Sequence, residues 1–260
     1  MNAPAPWQVV ARNHPAHAGN PIHTDAGARA AGFPGALVAG VTVHAWLTHP
    51  AVLAWGDAWR RDGGGAVRFR RPVLDRELVT CRSTADDDGT LTIDALTTDD
   101  EPRAILVARP PAVVAPPPLL PATPRHDKFE ADATILAAVE HLGSIDTVLD
   151  RGWGAAYADD VGDDLDAYVD GTTVHPGVFL EAAHLALTQN IGLPAWIHTA
   201  STYRHHGALL PVGTAVSVRS RVVEAVQRKG RDEIRCDVQL VVDGRVAVSV
   251  DHRAIIRLPG

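Results

Sequence analysis

The stretch whose reading decides the fold runs from Asn20 to Leu47, NPIHTDAGARAAGFPGALVAGVTVHAWL. A polar, turn-rich segment carrying Asn20, His23 and Asp25 leads through Phe33-Pro34-Gly35 into an apolar run, Ala36 to Leu47, broken only by Thr42 and His44. That run is too short to cross a bilayer and reads as a buried helix, favoured by its alanines and leucines and weakened by Val41 and Val43. Gly40 is expected inside this helix, where glycine costs stability unless something approaches the backbone closely. The stretch thus places an imidazole on a loop that leads into a buried helix.

Around it lies a chain of 260 residues, 46% of them hydrophobic, which is enough for one large domain or two of modest size. The formal net charge of −7 argues against nucleic acid as a partner. No apolar run of about 18 residues and no leader-type start is found, so no membrane partner and a cytoplasmic location are expected. Cys81 and Cys236 are far apart in strand-like segments and support neither a disulfide framework nor a CxxC site. Among thirteen histidines only His14/His17 and His205/His206 are close in sequence. Neither grouping has the HExxH form or a facing Cys/His pair, so no metal is expected.

Outward from the opening stretch, Trp7 to Ala11 is a short strand candidate, and Trp46, Trp55 and Trp59 continue the packing face of the helix up to Gly63-Gly64-Gly65. Strand-like runs follow at Ala66–Arg70, Glu77–Ser83, Thr90–Leu96 and Arg103–Arg109, with Asp86 to Gly89 as a hairpin connection. Pro110 to Pro124 is dominated by proline, which lacks an amide proton and holds an extended backbone, and reads as a semi-rigid linker. Beyond it, Ala131–Leu142 is expected to be helical and Ala158–Gly171 to be an acidic loop. His175-Pro176-Gly177 introduces a second apolar helix, Val178–Gln189. Strands are then expected at Trp196–Tyr203, Thr214–Val226, Glu233–Asp243 and Arg245–Arg257, the last two joined by the hairpin signal Asp243-Gly244. The halves therefore share one order of loop, apolar helix and antiparallel strands. Leu78-Val79-Thr80-Cys81-Arg82-Ser83 lines up with Ala215-Val216-Ser217-Val218-Arg219-Ser220, and the same offset carries Gly40 onto Gly177, which points to an internal duplication.

On these residues the chain resembles the MaoC-like acyl dehydratase and (R)-specific enoyl hydratase group in its double-hotdog form. The resemblance implies an α+β fold of two repeats, 1–109 and 131–260, joined by the linker 110–130, each a long helix wrapped by an antiparallel sheet. Gly19 to His23, GNPIH, matches the end of the group's G-D-x-N-P-x-H loop, and GFPGALVAGV resembles its helix start. The group's aspartate falls on Ala18. In the second half Gly162 to Tyr168 can be laid on the same loop, with Asp163 at the aspartate position and Tyr168 at the histidine position. His175-Pro176-Gly177 is similar to the second-repeat helix start of polyketide-synthase dehydratases, in which the catalytic His and Asp come from different repeats.

The implied activity is reversible addition of water to an enoyl thioester, on acyl-CoA or an acyl-carrier-protein substrate, without a cofactor. Such chemistry needs an acid/base with a pKa near working pH, which suits His23, and amides at a helix N-terminus to hold enolate-like charge, which suits Gly40 or Gly177. Asn20 and Asp25 would shape the His23 loop, and Asp25, Asp163 and Glu181 are the candidate carboxylates. His175, Tyr168 and His184 are placed at the substrate. Each has a structural alternative. Asp25 could simply accept amides at a helix start, Gly40 could serve only close packing, Asp163 could lie on a solvated acidic loop, and Glu181, His184 and Thr188 could form a solvent edge. Arg60-Arg61, Arg68 and Arg70-Arg71 could meet the phosphates of coenzyme A or of a carrier arm, or be a solvated face. Two other functions stay open: a hotdog thioesterase in which Glu181 activates water, and a non-catalytic acyl-binding or assembly protein, for which Ala18 argues. Two joined repeats already form a pseudo-dimer, and exposed sheet edges leave a further homodimer open.

Overall fold

A computed structural model describes residues 2–207 and 209–258. In chain order the elements are β1 (Trp7–Val10), α1 (Asp25–Ala30), α2 (Gly40–Asp62), β2 (Gly64–Phe69), β3 (Leu78–Ala85), β4 (Leu91–Leu96) and β5 (Pro102–Arg109). There follow β6 (Phe129–Glu130), α3 (Ala133–Leu136), β7 (His141–Leu149), α4 (Ala155–Val161), α5 (Val178–Asn190), β8 (Ile191–Gly192), β9 (Ile197–His205), β10 (Thr214–Arg228), β11 (Arg231–Val242) and β12 (Arg245–Arg257).

Ten strands form one antiparallel sheet in the order β1-β3-β4-β5-β2-β9-β12-β11-β10-β7. Read inward from either edge, the two halves repeat one another: β1 corresponds to β7, β3 to β10, β4 to β11, β5 to β12, and β2 to β9. The seam is the β2–β9 pair, with Val67 opposite Ser201. The matched sequences Leu78–Ser83 and Ala215–Ser220 lie in the equivalent strands β3 and β10, and Gly40 and Gly177 stand at the starts of the equivalent helices. This is an α+β double hotdog, as the resemblance implies. Helix α2 packs on β3, β4 and β5 and reaches across the seam to β9, while α5 packs on β7, β10, β11 and β12. One continuous core joins the halves, with Trp46 and Leu47 of α2 and Leu180 and Leu187 of α5 fully enclosed.

Three details depart from expectation. First, α2 starts at Gly40, not Ala36. The turn at Pro34-Gly35 is followed by extended backbone whose Val38 amide donates to Val73 O (2.8 Å), so Gly40 is the first helical residue and no interior-glycine penalty arises. The helix breaks instead at Gly56, whose φ of 56° is open mainly to glycine. Second, only Ala133–Leu136 of the helix expected over 131–142 forms. Asp132 caps it through the amides of Thr134 and Ile135, but Ile145, Thr147 and Val148 favour strand, and His141–Leu149 becomes the edge strand β7, paired with β10. Third, Ala158–Val161, expected in an acidic loop, completes the helix α4. The proline segment, expected as a semi-rigid linker, is tied to the second half. Gln239 clamps it by accepting from the Leu120 amide (2.9 Å) and donating to Pro118 O (2.8 Å). The Asp243-Gly244 turn joins β11 to β12 as expected, both residues at positive φ.

Candidate active site

Asn20 anchors the first loop to the second half of the chain. Its Nδ2 donates to Trp196 O (2.9 Å), and its carbonyl accepts the His23 amide (3.0 Å). One turn of 3₁₀ helix, Pro21–His23, then presents the imidazole. His23 Nδ1 lies 2.7 Å from Leu37 O, and because a carbonyl can only accept, Nδ1 carries the proton and Nε2 is left with its lone pair. Burial, opposed by that hydrogen bond, pushes the ring down to about 4, below the near-neutral value expected from sequence, so it is neutral at neutral pH. The next turn takes Asp25 away from it. Thr24 caps α1, and Asp25 Oδ1 accepts the Ala36 amide (3.0 Å), fixing the far side of the loop.

No carboxylate among the described residues bonds His23. The imidazole–carboxylate pair is next to it: His17 Nε2 lies 2.7 Å from Glu181 Oε1, and the His17 and His23 rings are 5.8 Å apart. His17 comes from the first loop and Glu181 from the first turn of α5, so the pair bridges the two halves. Both side chains are mostly buried, and His17 Nδ1 is buried without a partner. Glu181, His184 and Thr188 form a polar stripe that faces a cavity of ≈ 830 Å³, not solvent.

A second cavity of ≈ 530 Å³ adjoins it, and Asn20, His23, His184 and Trp196 line both. Gly40 lines the smaller cavity at the start of α2. No side chain caps that helix, and its first-turn amides have no intrahelical acceptor, so the positive end of its dipole faces the space beside His23. Arg68 and Arg70 stand exposed at the rim of this cavity and make no ion pair among the described residues. Arg71 pairs with Glu101, and Arg60 is buried elsewhere, bonded to Thr173 (2.6 Å).

The remaining expected residues gather in a different place. Asp163 is enclosed between His49 Nδ1 (2.8 Å) and His175 Nε2 (3.0 Å) and also accepts the Leu165 amide (3.1 Å). His175 Nδ1 in turn accepts the Gly177 amide (2.9 Å), and the Tyr168 ring packs tilted by 39° against the His175 ring at 4.6 Å. At Gly177 a Cβ would sit 2.8 Å from the Tyr157 ring. The start of α5 is thus sealed by its own histidine, where the start of α2 is open. Of the expected residues, Asn20, His23, Gly40, Glu181 and His184 meet at cavities, whereas Asp163, Tyr168, His175 and Gly177 form a closed network away from them.

His17 was not singled out as an acid/base from sequence, and neither were His198 and Trp196, which also line the site. His17 partners a residue 164 positions away, and no local spacing announces such a contact.

No family model matches this chain, and no curated protein matches it in sequence. Solved structures do share its fold over nearly its whole length. A double-hotdog protein of Mycobacterium tuberculosis covers 98% of this chain and 96% of its own, with a TM-score of 0.58 and 15% identity. A candidate MaoC-domain dehydratase from Chloroflexus aurantiacus covers 100% and 95%, with a TM-score of 0.57 and 13% identity. A candidate oleoyl thioesterase from Lactobacillus plantarum covers 100% and 99%, with a TM-score of 0.53 and 12% identity. At these identities the likeness shows the fold. Dehydratases and thioesterases both use it.

Proposed function

We propose that this protein is an acyl-thioester hydratase/dehydratase of MaoC-like type, working at a single site made by both halves. The observation that carries the reading is the convergence on two adjoining cavities of a neutral imidazole with a free nitrogen, an uncapped helix N-terminus and a cross-half imidazole–carboxylate pair. In the dehydration direction His23 Nε2 takes the proton from Cα of a 3-hydroxyacyl thioester. The charge that moves to the thioester oxygen is held by the Gly40 amide and the α2 dipole. The C3–O bond then breaks, and the departing hydroxyl receives the proton shared between His17 and Glu181, leaving as water. Hydration is the same path reversed. The pair takes over the task that the aspartate missing at Ala18 performs in the family the chain resembles, which is why Ala18 does not argue decisively for a non-catalytic protein. The arginines at the cavity rim suit the phosphates of coenzyme A or of a carrier-protein arm.

A specific observation also favours a second reading. Glu181 lies in the wall of the larger cavity, where it could activate water for attack on the thioester carbonyl, as in a thioesterase. Mixing the protein with a short 2-enoyl-CoA separates the two. A hydratase causes reversible loss of the enoyl absorbance with no free thiol, and a thioesterase releases thiol. Glu181→Gln is expected to slow hydration by about 10²–10⁴-fold, the range for loss of a general acid–base group. Thiol release lost in the same variant, with no hydration in the parent, would overturn the hydratase reading.

The rim makes a smaller prediction. Arg68→Ala and Arg70→Ala each remove an exposed charge worth about 1 kcal/mol or less to a bound phosphate, so KM for acyl-CoA is expected to rise about 2–5-fold with kcat unchanged. A fall in kcat at constant KM in steady-state measurements would count against a phosphate-binding rim.

A further inference from the structure

Behind Gly40 three histidines converge from three elements: His184 of α5, His198 of β9 and His252 of β12. Their relative exposures are 8%, 5% and 0%, and ring centroids lie 4.9 Å (184–198), 5.3 Å (184–252) and 4.3 Å (198–252) apart. Each offers a ring nitrogen within 4.8 Å of those on the others. His184 Nε2, His198 Nδ1 and His252 Nε2 are all buried without a hydrogen-bond partner. Leaving a buried polar atom unpaired costs about 1–3 kcal/mol, so three in one cluster call for an explanation that leucines in the same positions would not need.

Two of the rings share one hydroxyl. Ser201 Oγ lies 2.8 Å from His198 Nε2 and 2.9 Å from His252 Nδ1. A hydroxyl oxygen can accept two hydrogen bonds, and if both ring N–H groups donate to it, both free nitrogens carry lone pairs. The strand is bent to allow this. Between Arg253 opposite Ala200 and Ala254 opposite His198, the register shifts by one residue, and Thr199 is the extra one. Without that bulge Thr199, not His198, would follow Ser201 on the inner face. By contrast His44, also buried with both nitrogens unpartnered, belongs to no such cluster among the described residues.

We propose that His184, His198 and His252 bind a divalent first-row transition ion, zinc by preference, with a fourth position open toward the smaller cavity. Three imidazole nitrogens and no oxygen donor exclude magnesium and calcium and suit zinc, cobalt, nickel or copper. Tetrahedral Zn–N bonds of about 2.0–2.1 Å put ligand nitrogens about 3.3 Å apart, so ring rotations that close the cluster by at most about 1.5 Å complete the site. His184 and His198 also line the smaller cavity, which gives the ion an entry path. Gly40 allows the approach, since a Cβ there would come within 3.3 Å of His198 Nδ1. The three positions are separated by 14 and 54 residues, so no motif search would join them. The proposal stands independently of the thioester reading.

The test is a titration of the full-length, chelator-stripped protein with Co²⁺, read in the visible spectrum and repeated with Zn²⁺ as competitor. One equivalent of Co²⁺ per chain is expected, with the intense bands of tetrahedral coordination, bleached by one equivalent of Zn²⁺. Ser201→Ala is expected to weaken binding about 10–100-fold, as for other loss of support to a liganding histidine. His198→Gln and His252→Gln should abolish the bands. No tetrahedral bands in the parent protein, or bands that persist in both histidine variants, would overturn the site. Should those variants fail to fold by circular dichroism, the parent titration and Ser201→Ala decide: a parent without bands, or a Ser201→Ala affinity equal to the parent's, rejects the proposal.

Discussion

Replacing His23 by alanine is expected to lower kcat/KM for hydration of a short enoyl-CoA by about 10²–10⁴-fold, the range for loss of a general acid–base group. That corresponds to about 3–5 kcal/mol of lost transition-state stabilisation. The expectation follows from one hydrogen bond. Because Leu37 O fixes the proton on Nδ1, the other nitrogen is a lone pair on the cavity wall, and burial keeps it unprotonated at neutral pH. His23→Gln is the companion variant. Its carboxamide can still donate to Leu37 O and hold the loop, yet it cannot accept a proton at any working pH. Both variants should therefore lose kcat alike, while the glutamine protein keeps a melting temperature close to the parent's. Activity within about tenfold of the parent in the glutamine variant would remove His23 from the chemistry and leave both proton transfers to His17 and Glu181.

The fold was legible because its signals are local. Alternation in the strands, the Asp243-Gly244 turn and the repeated order of helix and strands all act over short spans, and the offset joining Gly40 to Gly177 is the one that relates β3 to β10. Where local propensity was divided, tertiary pairing decided. The helix expected over 131–142 took in His141 and Leu142, but the equivalent of β1 had to be supplied at the outer edge of β10, and both residues went into β7. Site residues divided by the same logic. Asn20, His23 and Gly40 were readable because loop and helix start are contiguous in sequence. Glu181 was readable as a polar break on an apolar helix. Its partner was not, since a contact between His17 and α5 exists only after the two halves close on each other. Asp163 and His175 were picked out as candidate site residues, but sequence cannot say that the first has both its oxygens filled.

That filling sets the last prediction. Asp163→Ala is expected to destabilise the protein by about 3–5 kcal/mol, because it leaves the N–H groups of His49 and His175 and the Leu165 amide facing a buried hole. Asp163→Asn should cost less. His175 must keep its proton on Nε2, since Nδ1 already accepts from Gly177, so the asparagine oxygen faces His175. His49 can change tautomer and accept from the new amide, and only the Leu165 amide, which bonds the same Oδ1 as His49, loses its acceptor. The folded asparagine variant should retain hydration activity within a few-fold, since Asp163 lines neither cavity. Burial opposes ionisation of this carboxyl, yet the hydrogen bonds from His175 and His49 outweigh it and hold its pKa well below the ordinary carboxylate range. The sign of the linkage follows. A folded-state pKa below the unfolded value of about 3.9 means that the stabilisation is fully present above that value and is lost as pH falls toward the folded pKa. Chemical unfolding followed from pH 7 to pH 2 should show the parent losing stability relative to Asp163→Asn below about pH 4, the two curves running parallel above pH 5. If they run parallel throughout, or if the asparagine variant is stable but inactive, the closed network is not the structural clamp that its geometry describes, and the aspartate belongs to the reaction.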